Sequence, residues 1–80
     1  MKTKVIFRLH PDVDEPIAFL PDEKTANPHF ISCYEHVGQH SDACYEYFTE
    51  CRPATPEQYL PLKAEMENLF GYDFDVIDTL

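Results

Sequence analysis

Apolar and polar positions alternate from the first residues of the chain. Between Lys4 and Leu9, Val5, Phe7 and Leu9 fall on one side and Lys4 and Arg8 on the other, with Ile6 the exception. A period of two predicts a half-buried strand. The cluster His10-Pro11-Asp12-Val13-Asp14-Glu15-Pro16 then interrupts with prolines and acids, which fix φ, remove amide donors and favour a turn. Ile17 to Leu20 is a second short apolar run stopped by Pro21, so the two runs predict a hairpin with a long loop. Pro21 to Pro28 is polar and bounded by prolines, which marks a surface connection. From Phe30 to Val37 a strand pattern resumes, with Phe30, Ser32, Tyr34 and His36 on one side and Ile31, Cys33, Glu35 and Val37 on the other. Both faces are mixed, as expected of a strand with one face under a helix and the other carrying Tyr34 and His36 into a shallow surface. Gly38 ends that strand or bends it.

The second half switches period. Ser41 or Asp42 suits the N-cap of a short helix reaching about Cys51, but Tyr45-Glu46-Tyr47-Phe48-Thr49 is equally good strand material, so residues 42–51 stay open between the two. Thr55-Pro56-Glu57-Gln58 is sharper: Thr at the cap, Pro at the first helical position, and Gln three residues after the cap predict a helix start with a capping box. Tyr59, Leu62, Met66, Leu69 and Phe70 continue it as one apolar stripe. Pro61 falls one turn in and predicts a kink or restart, and Gly71 suits the left-handed exit. Asp73-Phe74-Asp75-Val76-Ile77-Asp78 reads as a final strand with Phe74 and Val76 inward. The expected architecture is a single α+β domain over residues 1–80, a small antiparallel sheet of three to five strands packed on one main helix at about residues 56–70.

Charge removes whole classes of function. Fifteen acids against six bases give a net charge of -9, and the six cations are scattered at Lys2, Lys4, Arg8, Lys24, Arg52 and Lys63. A DNA-binding protein places roughly 6–10 cations on phosphates, so direct binding to nucleic acid or to an anionic membrane is disfavoured. A basic protein partner is compatible with the same surface. The apolar run after the charged amino terminus is only Val5-Ile6-Phe7, far short of a signal or membrane segment, which predicts a cytoplasmic protein. Eighty residues bury only about 60% of the extended-chain surface, so a monomer or a homodimer is expected to hold a thin margin of stability. Cys33, Cys44 and Cys51, odd in number, are expected as reduced thiols rather than a disulfide framework.

The densest uncharged polar chemistry is Tyr34-Glu35-His36-Val37-Gly38-Gln39-His40. The run from Ser32 to His40, the segment Pro53-Ala54-Thr55-Pro56-Glu57-Gln58-Tyr59, the Gly71-Tyr72 exit and the opening Lys4-Val5-Ile6-Phe7-Arg8 together resemble a family of short uncharacterised bacterial proteins carried on prophages, plasmids and other mobile elements. That family has a similar S-Y-x-H-x-G-Q-H segment, onto which Tyr34, His36, Gly38, Gln39 and His40 map. Cys33 intrudes between Ser32 and Tyr34 here, Pro61 stands where the family has a helix former, and Ser41 where it has glycine. The resemblance implies a setting and no activity.

Candidate ligand- or partner-binding residues are therefore Tyr34, His36, Gln39 and His40. His36-x3-His40 is also half of a zinc spacing, and Cys33 and Cys44 are the nearest thiols to complete it, which makes a zinc site on His36, His40, Cys33 and Cys44 the lesser alternative. Histidines bonded to backbone around a glycine bend explain the same residues without a metal. A cysteine nucleophile at Cys33 or Cys44, activated by His36 or His40, lacks a cationic neighbourhood and an oxyanion partner. No phosphate loop, dinucleotide fingerprint, serine elbow or calcium loop occurs. The sequence leans away from an enzyme and expects no cofactor. Its leading reading is a non-enzymatic protein-interaction module, with an inhibitor that mimics phosphate charge on a nucleic-acid-binding protein as the sharper form. A small-ligand or metal-binding domain centred on His36 and His40 is the alternative.

Overall fold

A computed structural model of the chain describes residues 2–35 and 40–80. The period-two stretch forms β1 (Thr3–Leu9), which pairs antiparallel with β2 (Pro16–Leu20) through Ile6 opposite Phe19 and Phe7 opposite Ala18. β2 pairs antiparallel with β3 (Phe30–Tyr34), and β3 with β4 (His40–Cys44), where Tyr34 faces His40 and Ile31 faces Ala43. The outer side of β1 is filled twice. β5 (Arg52–Pro53) lies antiparallel against Arg8 and Leu9, and β6 (Phe74–Val76) lies parallel against Thr3 to Val5. The class is α+β as expected. The sheet reaches six strands because a two-residue strand and a parallel strand share one edge.

Alternation assigns each residue to a face, and both faces are covered. Val5, Phe7, Ala18, Leu20 and Tyr34 point to α2 (Pro56–Phe70) and enclose Leu62, Met66 and Phe74. Ile6, Ile17, Phe19, Ile31 and Cys33 point the other way and are closed by Phe48 of α1 (Tyr45–Glu50) and by Cys51. Ile6, the misfit in the opening pattern, is fully buried in this second core. Fully burying a Leu, Ile or Phe side chain contributes about 1.5–3 kcal/mol, so neither layer is a minor one. Phe19 anchors the smaller layer with its ring edge-to-face on Phe48 at 4.8 Å.

The open segment 42–51 divides: β4 ends at Cys44 and α1 begins at Tyr45. Ser41 and Asp42 are not helix caps. They lie in β4, where pairing with Cys33 and Ser32 of β3 takes up the backbone, and Cys44 precedes the helix without a side-chain cap. α2 begins where its capping box predicts, with the Thr55 amide donating to Gln58 Oε1 at 2.8 Å. It runs from Pro56 to Phe70 as one helix with Pro61 inside it, so the restart that was one of the two expected outcomes there does not occur. Pro61 is exposed, so its ring disturbs no core contact, and water can serve the carbonyl that its missing amide leaves free. The helix ends at Gly71, whose φ of 72° is left-handed and whose amide returns to the Glu67 carbonyl. Of the two residues expected inward in the last strand, Phe74 is buried but Val76 is 38% exposed, because it stands at the outer edge of the sheet with only β1 beside it.

Candidate functional site

The strand pairing that sets Tyr34 against His40 also sets their side chains on the α2 side of the sheet. Tyr34 is fully buried, and its hydroxyl donates to Glu65 Oε2 on α2. Its ring meets Phe70 edge-to-face at 5.4 Å, and His40 lies 5.2 Å from Tyr34 and 5.0 Å from Phe70. His40 Nε2 shares a 2.9 Å hydrogen bond with the Tyr72 hydroxyl, and Tyr72 in turn stacks on Phe74 at 4.8 Å. The result is an aromatic corner that runs from the core to the surface. Tyr34 forms its buried root, while His40 and Phe70 are exposed. Each ring pair of this kind contributes about 0.5–1.5 kcal/mol beyond burial. Burial, and secondarily the charge of Glu23, pushes the Tyr72 hydroxyl above its ordinary value, so it stays a neutral hydrogen-bonding group at neutral pH.

Of the expected site residues, the structure brings together Tyr34 and His40. His36 and Gln39, and the bend expected at Gly38, lie outside the described residues. Cys33 does not join His40. It points to the α1 side of the sheet, with its Sγ 3.4 Å from Ser41 Oγ, and strand alternation therefore separates it from the imidazole. Cys44 shares the His40 face but stands four residues along β4, about 13 Å at the usual strand rise. Among the described residues no group of three or more His, Cys, Asp or Glu side chains is placed to hold a metal ion. Burial pushes the Cys33 thiol up, only partly opposed by the Ser41 bond, and burial likewise raises Cys51 against the lowering effect of Arg8. Both are therefore neutral thiols rather than nucleophilic thiolates at neutral pH.

A second polar cluster joins the other flank of the same stretch. His10 Nε2 donates to Glu35 Oε1 at 2.8 Å, and its Nδ1 is hydrogen-bonded to the Tyr47 hydroxyl. The nitrogen facing a carboxylate must be the donor, which fixes the ring's orientation. Arg52 donates to the His10 and Val13 carbonyls and pairs with Asp14 at 2.8 Å, holding the proline-rich turn against β5. The sequence pattern does not reveal this cluster, because His10 and Tyr47 are 37 residues apart and meet only through the sheet. Burial first, then nearby negative charges, raises the Tyr47 hydroxyl, so it too remains protonated.

Comparison with family models, with curated proteins and with solved structures finds no match to this chain. Among the described residues no helix is long and apolar enough to cross a membrane. Among the described residues the aromatic corner offers ring faces, one imidazole and neutral hydroxyls.

Proposed function

We propose that the protein is a non-enzymatic interaction module that engages a basic surface on a protein partner. The observation that carries this reading is the unequal use of charge. Two of the six cations are paired with the protein's own acids, Arg52 with Asp14 and Lys63 with Glu67 at 2.9 Å, and Arg8 gives two of its N–H groups to main-chain carbonyls. Among the described residues the exposed acids Asp22, Glu23, Glu46, Glu50, Glu57 and Asp73 have no ion-pair partner. The negative field is thus left facing solvent, where it accelerates encounter with a positive partner. Phe70 at 42% exposure and Leu69 at 60% supply the apolar anchor that a charged rim alone lacks. The likeness to short proteins of mobile elements favours a host nucleic-acid-binding protein as the partner, with the acids standing in for phosphates and the encounter taking place in the cytoplasm.

Affinity capture from a bacterial host at low and high salt tests the proposal. Basic nucleic-acid-binding proteins should be retained at low salt, released by salt, and retained less by F70A. A purified partner should lose its nucleic acid when the module is added. Retention of neutral or acidic proteins only, or retention indifferent to salt, would refute it.

A further inference from the structure

The outer edge of β1 is covered from two directions, by β5 against Arg8 and Leu9 and by β6 against Thr3 to Val5. Where the two approach each other, beside the first turns of α2, they leave a cleft of about 400 Å3, within the roughly 300–1,000 Å3 range of small-molecule sites. Its apolar walls include Phe7 and Tyr59, stacked at 4.4 Å and nearly parallel, with Pro56, Val76 and Ile77 around them. Two charged residues, Arg8 and Asp78, are among those that line it at the sheet edge. Arg8 Nη1 donates to the Phe7 carbonyl at 3.3 Å, Nη2 donates to the Asp78 carbonyl, and the guanidinium lies 5.6 Å from the centre of the Phe48 ring. All these partners are neutral. In a chain with fifteen acids this guanidinium has no carboxylate partner among the described residues, and a guanidinium has five N–H groups to give. Asp78, adjacent through its own carbonyl, is exposed and likewise without an ion pair.

We infer that this cleft binds a free α-amino acid with a bulky apolar side chain, Arg8 taking the carboxylate, Asp78 the ammonium, and the Tyr59–Phe7 stack with Val76 the side chain. A cation and an acid that line one cleft and that both lack an ion pair among the described residues match the two charges that an amino acid carries on one carbon. The net charge of -9 decides against a simple carboxylate ligand, since an anion must enter against the whole field whereas a zwitterion enters with no net charge. A bidentate guanidinium–carboxylate contact fixes the ligand's orientation, and the apolar wall discriminates among side chains. The cleft is separate from the aromatic corner, so this inference stands or falls independently of the interaction reading.

Calorimetric titration of the full chain with L-phenylalanine, L-leucine, glycine, 3-phenylpropanoate and 2-phenylethylamine tests it. At least one of the two large amino acids should bind, with glycine and both single-charge analogues weaker by at least about tenfold. R8Q and D78N should each weaken binding by a similar factor. Because Arg8 also ties β1 to the segment after β6, R8Q can lose the fold; D78N keeps the main-chain carbonyl that Arg8 uses and then decides alone. No binding at about 1 mM ligand, an analogue or glycine that binds as well as the amino acid, or D78N that binds unchanged would each overturn the assignment.

Discussion

Tyr34 combines the two demands a small core makes on a large polar residue: its ring is wholly inside and its hydroxyl is bonded to a carboxylate on α2. Hydrogen bonds to charged groups contribute about 1.5–3 kcal/mol, so Y34F should lower stability by that amount in urea denaturation. An unchanged midpoint would mean that water replaces the bond freely. Buried thiols and phenols give a second signature at this scale. Cys33 and Cys51 are raised above their ordinary value of 9.0 by burial. A folded value above the unfolded one means the native state holds the proton more tightly. The corresponding stability is fully present below pH 9 and is lost as pH rises through the raised folded values. Tyr47 and Tyr72, raised from 10.0, extend the loss to higher pH. Stability measured across alkaline pH should therefore begin to fall near pH 9, and in a C33A/C51A variant the fall should begin only near pH 10, where the tyrosines take over. An onset that does not move would show that the thiols are not its source.

At the scale of the element, α2 carries both a well-formed start and an interior flaw. A helix-interior proline costs about 3 kcal/mol relative to alanine, and Pro61 is exposed and within an otherwise unbroken helix. P61A should accordingly stabilise the protein by about 1–3 kcal/mol, whereas G71A should destabilise it by about 1 kcal/mol because φ is positive there. Thermal melts of the two variants should move in opposite directions. The start of α2 and its Gly71 exit were legible because each is encoded within four residues. The continuity through Pro61 was not, because it depends on which side of the helix faces water. The same contrast separates β1, written as plain alternation, from β5, two residues long and made only by landing beside Arg8 and Leu9. Ile6 was visible as an exception to alternation, but its meaning required knowing that Phe48 and Cys51 close a second layer over it. In the candidate site, the sequence groups Tyr34 with His40, but their pairing depends on β4, where it suggests a helix cap at Ser41 or Asp42 instead. The contact between His40 and Tyr72 joins residues 32 apart and has no local trace.

For the whole molecule, the sum of charges opposes compactness. With -9 on 80 residues and most exposed acids unpaired among the described residues, self-repulsion should destabilise the native state at low ionic strength. Added salt, which shortens the screening length from about 30 Å at 0.01 M to about 8 Å at 0.15 M, should raise the melting temperature. The same salt weakens capture of a basic partner, so stability and binding should respond to ionic strength in opposite senses. A melting temperature that falls with salt would mean that the few ion pairs outweigh the repulsion.

The parallel pairing of β6 with β1 has a temporal side. Residues 3–5 leave the ribosome first among the strands, yet the edge they present is closed only by residues 74–76. The hairpins from β1 to β4 can form locally while the chain grows, but the Thr3 to Val5 part of the outer edge stays open until residues 74–76 have been made, and contacts that distant in sequence form late. During that interval β1 presents an unsatisfied edge to any other extended segment. A nascent chain that stalls before Phe74 is thus the species of this protein most prone to pair with another copy of itself.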